Sequence, residues 1–391
     1  MRVALIAEWL DAWRGGAETS TLQFMYRLME QGIQVEVFTR SRPSPAPGLR
    51  VHTIGGAAMS RTRRSVTFAH RVERLLRDNS FDITHAISPC RGTDIYQPRG
   101  GTVAETVDRN LALIRRPSAR RVKRYANRLN FKQRYLLAME RELLRDSRGP
   151  RIVAISDYVA DQLRRHYGLD GQRVFKVLNG VEPDPAPAPR RRHDRDSIRR
   201  EFGLSPETVL VLLVAHNFRL KGVEPWLEAL ALLVRRSAGR VRSLVIGKGD
   251  SPRWHRLVAR LGLADCVTFT GPSERVRAFY HAGDVLVHPT YYDPCSRVVL
   301  EAMTSGLPCI TTRWDGASEM IRDGDNGFVL EEPGDAVALA DRVERLLNPD
   351  VRCRMGRDAA AVGDRVSMAR HTAEVIAVYE RVKAARRARA G

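Results

Sequence analysis

Short apolar runs alternate with amphipathic stretches along both halves of the chain. In the first half, the runs that predict buried strands are residues 3–7, 35–39, 81–85 and 151–155. In the second half, they are residues 209–214, 243–246, 267–269, 285–287 and 309–311. Hydrophobic positions near a 3.6-residue period predict helices such as residues 18–31, a helix capped by Ser156, and a final helix from about Ser367. Strands that alternate with helices predict α/β layers around a largely parallel sheet in each half.

The chain has 391 residues, which is long for one hydrophobic core and predicts two domains. Prolines at 183, 185, 187 and 189 favour an extended, semi-rigid connection, so the domain linker is predicted at residues 181–196. The predicted domains are therefore residues 1–180 and 197–366, followed by a helical segment at 367–391.

Composition narrows the class of protein. A hydrophobic content of 43% predicts well-packed cores, and a net charge of +20 indicates an anionic partner such as nucleic acid, a membrane surface or a phosphorylated substrate. The five cysteines form no C-x-x-C pair, so neither zinc nor a disulfide framework is predicted, and a reducing cytoplasm fits. We expect neither a signal peptide nor a spanning helix.

Residues 288–308, HPTYYDPCSRVVLEAMTSGLP, carry the most chemistry. They predict a loop after the strand at 285–287 and then the first turns of a helix. A helix N-terminus holds phosphate well, and Asp293 and Glu301 would flank it, an arrangement suited to a nucleotide diphosphate sugar. On spacing alone, an ordinary surface loop and amphipathic helix with solvated acids is the favoured interpretation.

Three other loops follow predicted strands, where ligands bind in open α/β sheets. Gly15 and Gly16 would let a phosphate approach the backbone through positive φ, although a plain tight turn is about as good an interpretation. Arg219 and Lys221 could clamp a diphosphate, or form a solvated basic loop. Gly247 could contact a nucleotide, or only turn the chain.

Two acidic pairs have spacing that suggests a metal site without supporting it. Asp194 and Asp196 lie in the predicted linker, and Asp323-Gly324-Asp325 is typical of a turn. Because neither has further ligands nearby, we predict no metal.

A basic segment runs from Arg109 to Arg134, with ten Lys or Arg residues and no Asp or Glu. Hydrophobic residues recur in and just after it at near-helical spacing, at Val122, Tyr125, Leu129, Leu136 and Leu137. This favours a basic amphipathic helix on an anionic membrane; a solvated helix and nucleic-acid binding are the alternatives. The predicted membrane patch is Arg115, Arg116, Arg120, Arg121, Lys123 and Arg124.

Taken together, these segments resemble the family-4 retaining glycosyltransferases, and within them the lipopolysaccharide core glucosyltransferases. The resemblance runs from Gly15-Gly16 through Asn179-Gly180-Val181 and Arg219-x-Lys221 to the segment from Asp293 to Glu301, and RGTDIY at 91–96 contributes to it. It covers nearly the whole chain. One departure is that Asp293 stands where the family's E-x7-E signature has its first glutamate. This change could alter which donor the enzyme prefers.

The resemblance implies a GT-B fold, in which two Rossmann-like domains face a central cleft and the C-terminal helix crosses back to the first domain. It implies that Glu301 binds the ribose, Asp293 binds the transferred sugar, and Arg219 and Lys221 neutralise the departing diphosphate. The residues implied in donor binding are Gly15, Gly16, Ser296, Arg297, Val298, Gly247 and Pro272.

The acceptor side is less defined, because the region where many relatives have a sugar-contacting histidine reads YQPRGG. The candidates there are Asp94, His85, Gly100 and Gly101.

The implied reaction is transfer of a hexose, with UDP-glucose favoured as donor, to a lipid-linked or lipopolysaccharide-type acceptor at the cytoplasmic face of the membrane. We expect no cofactor; the oligomeric state is open, with a monomer favoured. One alternative is a UDP-sugar epimerase or a soluble GT-B synthase. The more remote one is a basic nucleic-acid-binding protein without catalysis, which leaves the four charged site residues unexplained.

Overall fold

The computed structural model describes residues 1–11, 15–41, 43, 47–55, 61–114, 116–146, 148–169, 171–237 and 239–390. The chain divides into two compact units. Unit 1 comprises Met1–Gly180 together with Val366–Gly391, and unit 2 comprises Val181–Arg365.

Unit 1 is built on a seven-stranded parallel sheet in the spatial order β3-β2-β1-β4-β5-β6-β7. Its strands are β1 (Arg2–Ile6), β2 (Gln34–Thr39), β3 (Arg50–Thr53), β4 (Ile83–Ala86), β5 (Ile95–Tyr96), β6 (Arg151–Ala154) and β7 (Val174–Lys176). Its helices are α1 (Gly16–Glu30), α2 (Arg61–Arg77), α3 (Val103–Ala112), α4 (Pro117–Leu129), α5 (Phe131–Arg145), α6 (Asp157–Tyr167) and α14 (Met368–Ala390). A parallel strand covered on both faces is apolar throughout, and Val3 to Ile6 are wholly buried.

Unit 2 is built on a six-stranded parallel sheet in the order β10-β9-β8-β11-β12-β13. Its strands are β8 (Val209–Val214), β9 (Val241–Ile246), β10 (Val267–Gly271), β11 (Val285–Val287), β12 (Cys309–Thr312) and β13 (Gly327–Leu330). Its helices are α7 (Ala188–Glu201), α8 (Val223–Arg236), α9 (Pro252–Leu261), α10 (Val276–Ala282), α11 (Arg297–Thr304), α12 (Ala336–Arg345) and α13 (Pro349–Ala360). The α/β architecture with parallel sheets is therefore confirmed in both units.

All nine predicted strands are present, with ends that differ by no more than two residues. The apolar pattern missed β3, β5, β7 and β13. Strand β3 lies at the sheet edge and is largely exposed, and β5 has only two residues, so neither carries a strong hydrophobic run.

The predicted linker differs from the structure in its second half. The extended connection expected up to Asp196 ends at Pro187, because the chain is helical from Ala188. Pro189 lies in the first turn of α7, where a proline has no intrahelical hydrogen bond to lose. Asp194 and Asp196 are therefore on a helix of unit 2 and not in a linker.

The C-terminal helix α14 completes the core of unit 1. Met368, Val375 and Tyr379 are buried among residues of α1 and the strands. The start of α14 lies so close to Gly180 that a Cβ on this glycine would be 2.8 Å from the Cα of Met368. Part of the tertiary core of unit 1 is thus supplied by the last residues of the chain.

Strand order reverses at one place in each sheet, between β1 and β4 in unit 1 and between β8 and β11 in unit 2. Ligands of open α/β sheets bind outside the carboxyl ends of the strands at such points.

Candidate active site at the carboxyl edge of unit 2

The loops that follow β8 and β11 meet through an ion pair. The ammonium of Lys221, after β8, lies 2.5 Å from Oδ2 of Asp293, after β11, and donates to the carbonyl of Tyr292 at 3.0 Å. Less than a fifth of either charged side chain is exposed. Two residues that the sequence predicted separately therefore stand together at the switch point.

A glycine brings these loops together. Gly222 has φ 77°, and a Cβ at that position would lie 2.0 Å from the carbonyl oxygen of Pro289. The carbonyl of Leu220 then accepts the N–H of Tyr291 at 2.9 Å. Gly222 thus allows the loop after β8 to lie close to the loop after β11. This closeness brings the preceding residue, Lys221, within reach of Asp293.

Asp293 is held as a carboxylate. Burial raises its pKa, but the charges of Lys221 and His288 outweigh burial and hold the pKa well below its usual range. His288 Nε2 is 3.5 Å from Asp293 Oδ2 and 3.3 Å from the hydroxyl of Ser296. The histidine that opens the segment therefore belongs to the charged cluster, a role that the sequence did not assign to it.

Asp315 is a second buried acid that the sequence did not predict. It follows β12, and its carboxylate accepts the N–H groups of Ser296 and Ala317, each at 2.9 Å, and the hydroxyl of Thr311 at 2.8 Å. Burial and the neighbouring charge of Asp293 raise the pKa of Asp315 to about 6. Its position in the loop after a predicted strand was the available signal.

The N-terminus of α11 is arranged differently from the prediction. Ser296 caps the helix, but its own N–H is already taken by Asp315, so that amide is not offered to a phosphate. This corrects its assignment to the donor site. The first turn of a helix lacks preceding carbonyls, so Val298, which follows Arg297 in that turn, has no intrahelical acceptor for its N–H. Val298 is the better backbone candidate.

Glu301 lies in the second turn of α11. Its Oε1 accepts a hydrogen bond from the Arg297 guanidinium at 2.8 Å, and its Oε2 accepts the hydroxyl of Tyr280 at 3.2 Å. The side chain remains 27% exposed. The two predicted carboxylates therefore flank the start of one helix, each with its own partners.

The remaining predicted donor residues of unit 2 also lie at the carboxyl edge. Arg219 is exposed in the loop between β8 and α8, and Pro272 directly follows β10. Gly247 ends β9 with φ 127°, and a Cβ there would lie 1.9 Å from the carbonyl oxygen of Ala215. The glycine at 247 is thus required by a close approach and does more than turn the chain.

The Gly-Gly pair of unit 1 starts α1, at the carboxyl end of β1. Gly15 is the N-cap residue, and its φ of 163° is extended backbone that any residue adopts. The expected positive φ is therefore wrong, and Gly16 is not among the positive-φ glycines of the described residues. Their place at the edge of the sheet is as predicted.

Two of the four acceptor candidates lie in the interior of unit 1. His85 is fully buried, with Nδ1 2.6 Å from the hydroxyl of Tyr379, and burial and the charge of Arg99 lower its pKa to about 3. The Asp94 carboxylate accepts the N–H of Thr84 at 2.7 Å and pairs with Arg386 of α14. Both side chains are thus engaged in contacts with the C-terminal helix and the sheet, and their assignment to a substrate stays a prediction.

Gly100 and Gly101 lie between β5 and α3, at the carboxyl edge of the sheet. Gly101 has φ 72°, and α3 begins just after it. The N–H of Val103 at the start of α3 already donates to the buried carboxylate of Glu140 at 2.8 Å. This helix N-terminus is thus occupied by a carboxylate of the protein itself.

The basic segment forms three helices rather than one. Helix α4 ends at Leu129, and Asn130 caps α5. Val122, Tyr125 and Leu129 are 69%, 66% and 84% exposed, and no residue of α4 is buried. Of the predicted patch, Arg115 lies outside the described residues and Arg120 is half-buried against the carbonyl of Ile114. Exposed positions of the patch are Arg116, Arg121, Lys123 and Arg124.

Among the described residues, no group of three or more His, Cys, Asp or Glu side chains is arranged to hold a metal ion. Asp194 contacts Nδ1 of His281 at 3.0 Å, and Gly324, with φ 85°, turns the chain between Asp323 and Asp325 as predicted. In the part of the chain that the structure describes, no helix is long and apolar enough to cross a membrane.

Comparison with protein families accounts for most of the chain. Residues 14–185 match the Glycosyltransferase Family 4 model, and residues 208–349 match the Glycosyl transferases group 1 model. The first match covers most of unit 1, and the second covers the sheet and charged cluster of unit 2. Two of the alternatives that the sequence left open, a UDP-sugar epimerase and a nucleic-acid-binding protein, receive no support from these matches.

Relatives and solved structures agree with these models. The lipopolysaccharide glucosyltransferase WaaG of Escherichia coli (strain K12) is 24% identical over 320 residues, 82% of each chain. The crystal structure of WaaG superposes with a TM-score of 0.82 at 22% identity, covering 96% of this chain and 99% of that one.

A D-inositol 3-phosphate glycosyltransferase of Paenarthrobacter aurescens (strain TC1) is 28% identical over 406 residues, 93% of this chain and 92% of that one. Alr3699/HepE of Anabaena, solved with UDP and glucose, superposes with a TM-score of 0.71 at 16% identity over 97% of this chain and 99% of that one. At these identities, the structural likeness establishes the GT-B fold.

Proposed function

Since this chain belongs to the glycosyltransferases of family 4 and group 1, we propose that it transfers a hexose, with glucose favoured, from a UDP-linked donor to a lipid-linked or lipopolysaccharide-type acceptor at the cytoplasmic membrane face. The observation that carries the proposal is the Lys221–Asp293 pair at the switch point of unit 2, beside the N-terminus of α11. The relative WaaG, named a lipopolysaccharide glucosyltransferase, and the UDP complex of Alr3699/HepE support the choice of acceptor and donor.

Lys221 retains capacity for a diphosphate. Its ammonium has three hydrogen-bond donors, of which one serves Asp293 and one the carbonyl of Tyr292. We assign the third to a phosphate oxygen of the donor, together with the guanidinium of Arg219 and the N–H group of Val298. These groups stabilise the negative charge that grows on the departing diphosphate. Because they supply positive charge themselves, the proposed reaction uses no metal ion.

The two acids have separate roles in this proposal. Asp293, fixed as a carboxylate, contacts hydroxyls of the transferred sugar, and Glu301 contacts the ribose. The acceptor hydroxyl attacks the anomeric carbon from the face that the diphosphate leaves, and the departing phosphate takes the proton of that hydroxyl. The anomeric configuration is then retained without a carboxylate nucleophile.

The donor part is tested by a thermal-shift panel of nucleotide sugars, because a ligand that binds the native state raises its melting temperature. We expect UDP-glucose to give the largest shift, and we expect Glu301→Ala to reduce that shift and to abolish the transfer of glucose. A larger shift with another base or sugar would change the proposed donor. Wild-type transfer by a folded Glu301→Ala variant would remove Glu301 from the site.

Exposed hydrophobic residues among exposed cations on α4 support the membrane part of the proposal. Val122, Tyr125 and Leu129 can insert at a lipid surface while the cations face anionic headgroups. We expect replacement of Arg116, Arg121, Lys123 and Arg124 by glutamine to release the protein from vesicles that contain an anionic phospholipid. The matched control replaces four exposed arginines of unit 2, namely Arg192, Arg200, Arg256 and Arg260. Equal release by the two quadruple variants would mean that net charge, not this patch, binds the vesicles.

A second candidate acceptor is a small phosphorylated polyol. The relative named D-inositol 3-phosphate glycosyltransferase, matched over 93% of this chain, favours it. Assaying glucose transfer to inositol 3-phosphate and to a truncated lipopolysaccharide side by side distinguishes the two, since each acceptor yields its own product.

A further inference from the structure

Glu301 is held by two side chains of unit 2. The Arg297 guanidinium donates to Oε1 at 2.8 Å, and the Tyr280 hydroxyl donates to Oε2 at 3.2 Å. Tyr280 is only 1% exposed, and burial together with the charge of Glu301 raises the pKa of its hydroxyl well above the usual range. The tyrosine therefore keeps its proton and acts as the donor.

Helix stability does not explain the place of Arg297. As the first residue of α11 it puts a cation at the positive end of the helix dipole. It also precedes its partner by four residues, the less favourable order for such a pair. Its side chain is only 8% exposed, so bringing the guanidinium out of water has a further cost. Since this arrangement weakens the helix, the contact of Arg297 with Glu301 is a better explanation for its position.

We infer that Arg297 and Tyr280 are positioning residues that preset Glu301 to accept the two neighbouring hydroxyls of a ribose. The inference rests on the proposed function and names two further residues of its donor site. A carboxylate accepts about four hydrogen bonds, and two of these sites are used by Arg297 and Tyr280. The remaining two match a pair of adjacent hydroxyls, and 27% of the Glu301 side chain is still exposed to receive them.

Arg297 has a second effect on the same site. An uncompensated Glu301 carboxylate would repel the diphosphate of the donor, and the guanidinium 2.8 Å away offsets that charge. Loss of Arg297 should therefore weaken nucleotide binding as well as recognition of the ribose.

The test compares dissociation constants of UDP and 2′-deoxy-UDP, measured by calorimetry on the full chain. We expect the wild-type protein to bind UDP about tenfold more tightly than 2′-deoxy-UDP, which is the effect of one hydrogen bond to a charged group. Arg297→Met should weaken UDP binding by about tenfold and remove most of the preference. Tyr280→Phe, which keeps the ring, should reduce the preference by a smaller factor, and Arg297→Lys should recover part of it. The control is Arg236→Met, which breaks an exposed pair with Asp341 and Glu344 in the same unit and should behave as wild type.

The outcomes separate this inference from the function on which it rests. If folded Arg297→Met and Tyr280→Phe variants keep the wild-type preference while Glu301→Ala loses it, Glu301 binds the ribose but the positioning role is wrong. If Glu301→Ala keeps the preference, the assignment of Glu301 in the proposed function is wrong, and the inference falls with it. Failure of the wild-type protein to bind UDP contradicts the proposed donor and overturns both.

Discussion

The two units hold their predicted ionisable site residues in different ways. In unit 2, Lys221 and Asp293 come from the loops of two neighbouring strands and meet at 2.5 Å, with Glu301 in the helix that follows. In unit 1, the ionisable candidates His85 and Asp94 contact the C-terminal helix instead. The candidate donor site of unit 2 is thus assembled from its own loops, whereas two of the polar groups predicted for the acceptor in unit 1 contact a distant part of the chain.

This difference has a simple cause in strand geometry. Asp94 immediately precedes β5, so it lies at the amino end of that strand, away from the carboxyl ends where ligands bind. Lys221 and Asp293 follow β8 and β11, so they lie at the carboxyl ends of these strands. A motif residue is therefore informative when its position relative to the strand is known. Four experiments test whether the charged residues of the two units differ in this way.

The largest effect is expected for Lys221→Met. Loss of the ammonium from the diphosphate should lower kcat/KM for transfer by about a thousandfold, as for removal of an oxyanion donor. It also leaves Asp293 charged and mostly buried, which should lower the free energy of unfolding by up to about 3 kcal/mol. Steady-state transfer and chemical denaturation measure the two effects.

The double variant Lys221→Met with Asp293→Asn is the control for this experiment. It removes the isolated charge, so we expect it to regain most of the stability while transfer stays lost. Recovery of transfer in the double variant would show that the pair serves the fold alone, and unit 2 would then resemble unit 1 in this respect.

Gly247→Ala should have the next largest effect. Its added Cβ meets the carbonyl of Ala215 at 1.9 Å and φ is 127°, so we expect unit 2 to lose about 3 kcal/mol of stability and UDP binding to weaken. Gly262→Ala is the matched control, since Gly262 has φ 69° but nothing within 4 Å of the new methyl group. It should cost only about 1 kcal/mol. Equal losses would mean that backbone conformation, rather than the close approach, fixes the glycine.

Asp94→Ala tests the unit 1 side of the comparison. The N–H of Thr84 loses its carboxylate acceptor and Arg386 loses its partner, so thermal or chemical unfolding should show a loss of about 1 to 3 kcal/mol. KM values for donor and acceptor should stay at wild-type levels in the folded variant. A tenfold rise in the acceptor KM without loss of stability would return Asp94 to the acceptor site.

The effect of Asp315→Asn on stability depends on pH. The pKa of Asp315 is raised to about 6 in the folded protein, so the native state keeps a proton that the unfolded chain releases at lower pH. Wild-type stability from this group is then present below pH 4 and is lost as pH rises through 6. Relative to wild type, the variant should gain up to about 3 kcal/mol of stability between pH 4 and pH 8, and the gain should vanish near pH 4. A difference independent of pH would contradict the charge-based explanation.

Sequence patterns predicted the strands whose apolar character is continuous, together with the residues that follow them. The run at 209–214 coincides with β8, and Lys221 was recognised as part of the loop after it. The patterns missed Asp315, Tyr280 and His288 as parts of the site because their roles depend on side-chain contacts that only the folded chain makes. The predicted end of the linker lies about two helical turns too late in the sequence. A helix with proline in its first turn looks like an extended segment when only its prolines are counted.

The alternation of strands and helices could be read from the amino-acid sequence alone, and its motifs indicated the family of the enzyme, because hydrophobic periodicity and short loop motifs are local properties. In contrast, the folded chain is needed to tell which polar side chains face the edge of a sheet and which face the core. His85 and Asp293 both come from short polar interruptions near apolar runs, yet one meets Tyr379 from the last helix and the other meets Lys221. That distinction depends on which distant segment fills the space beside each residue.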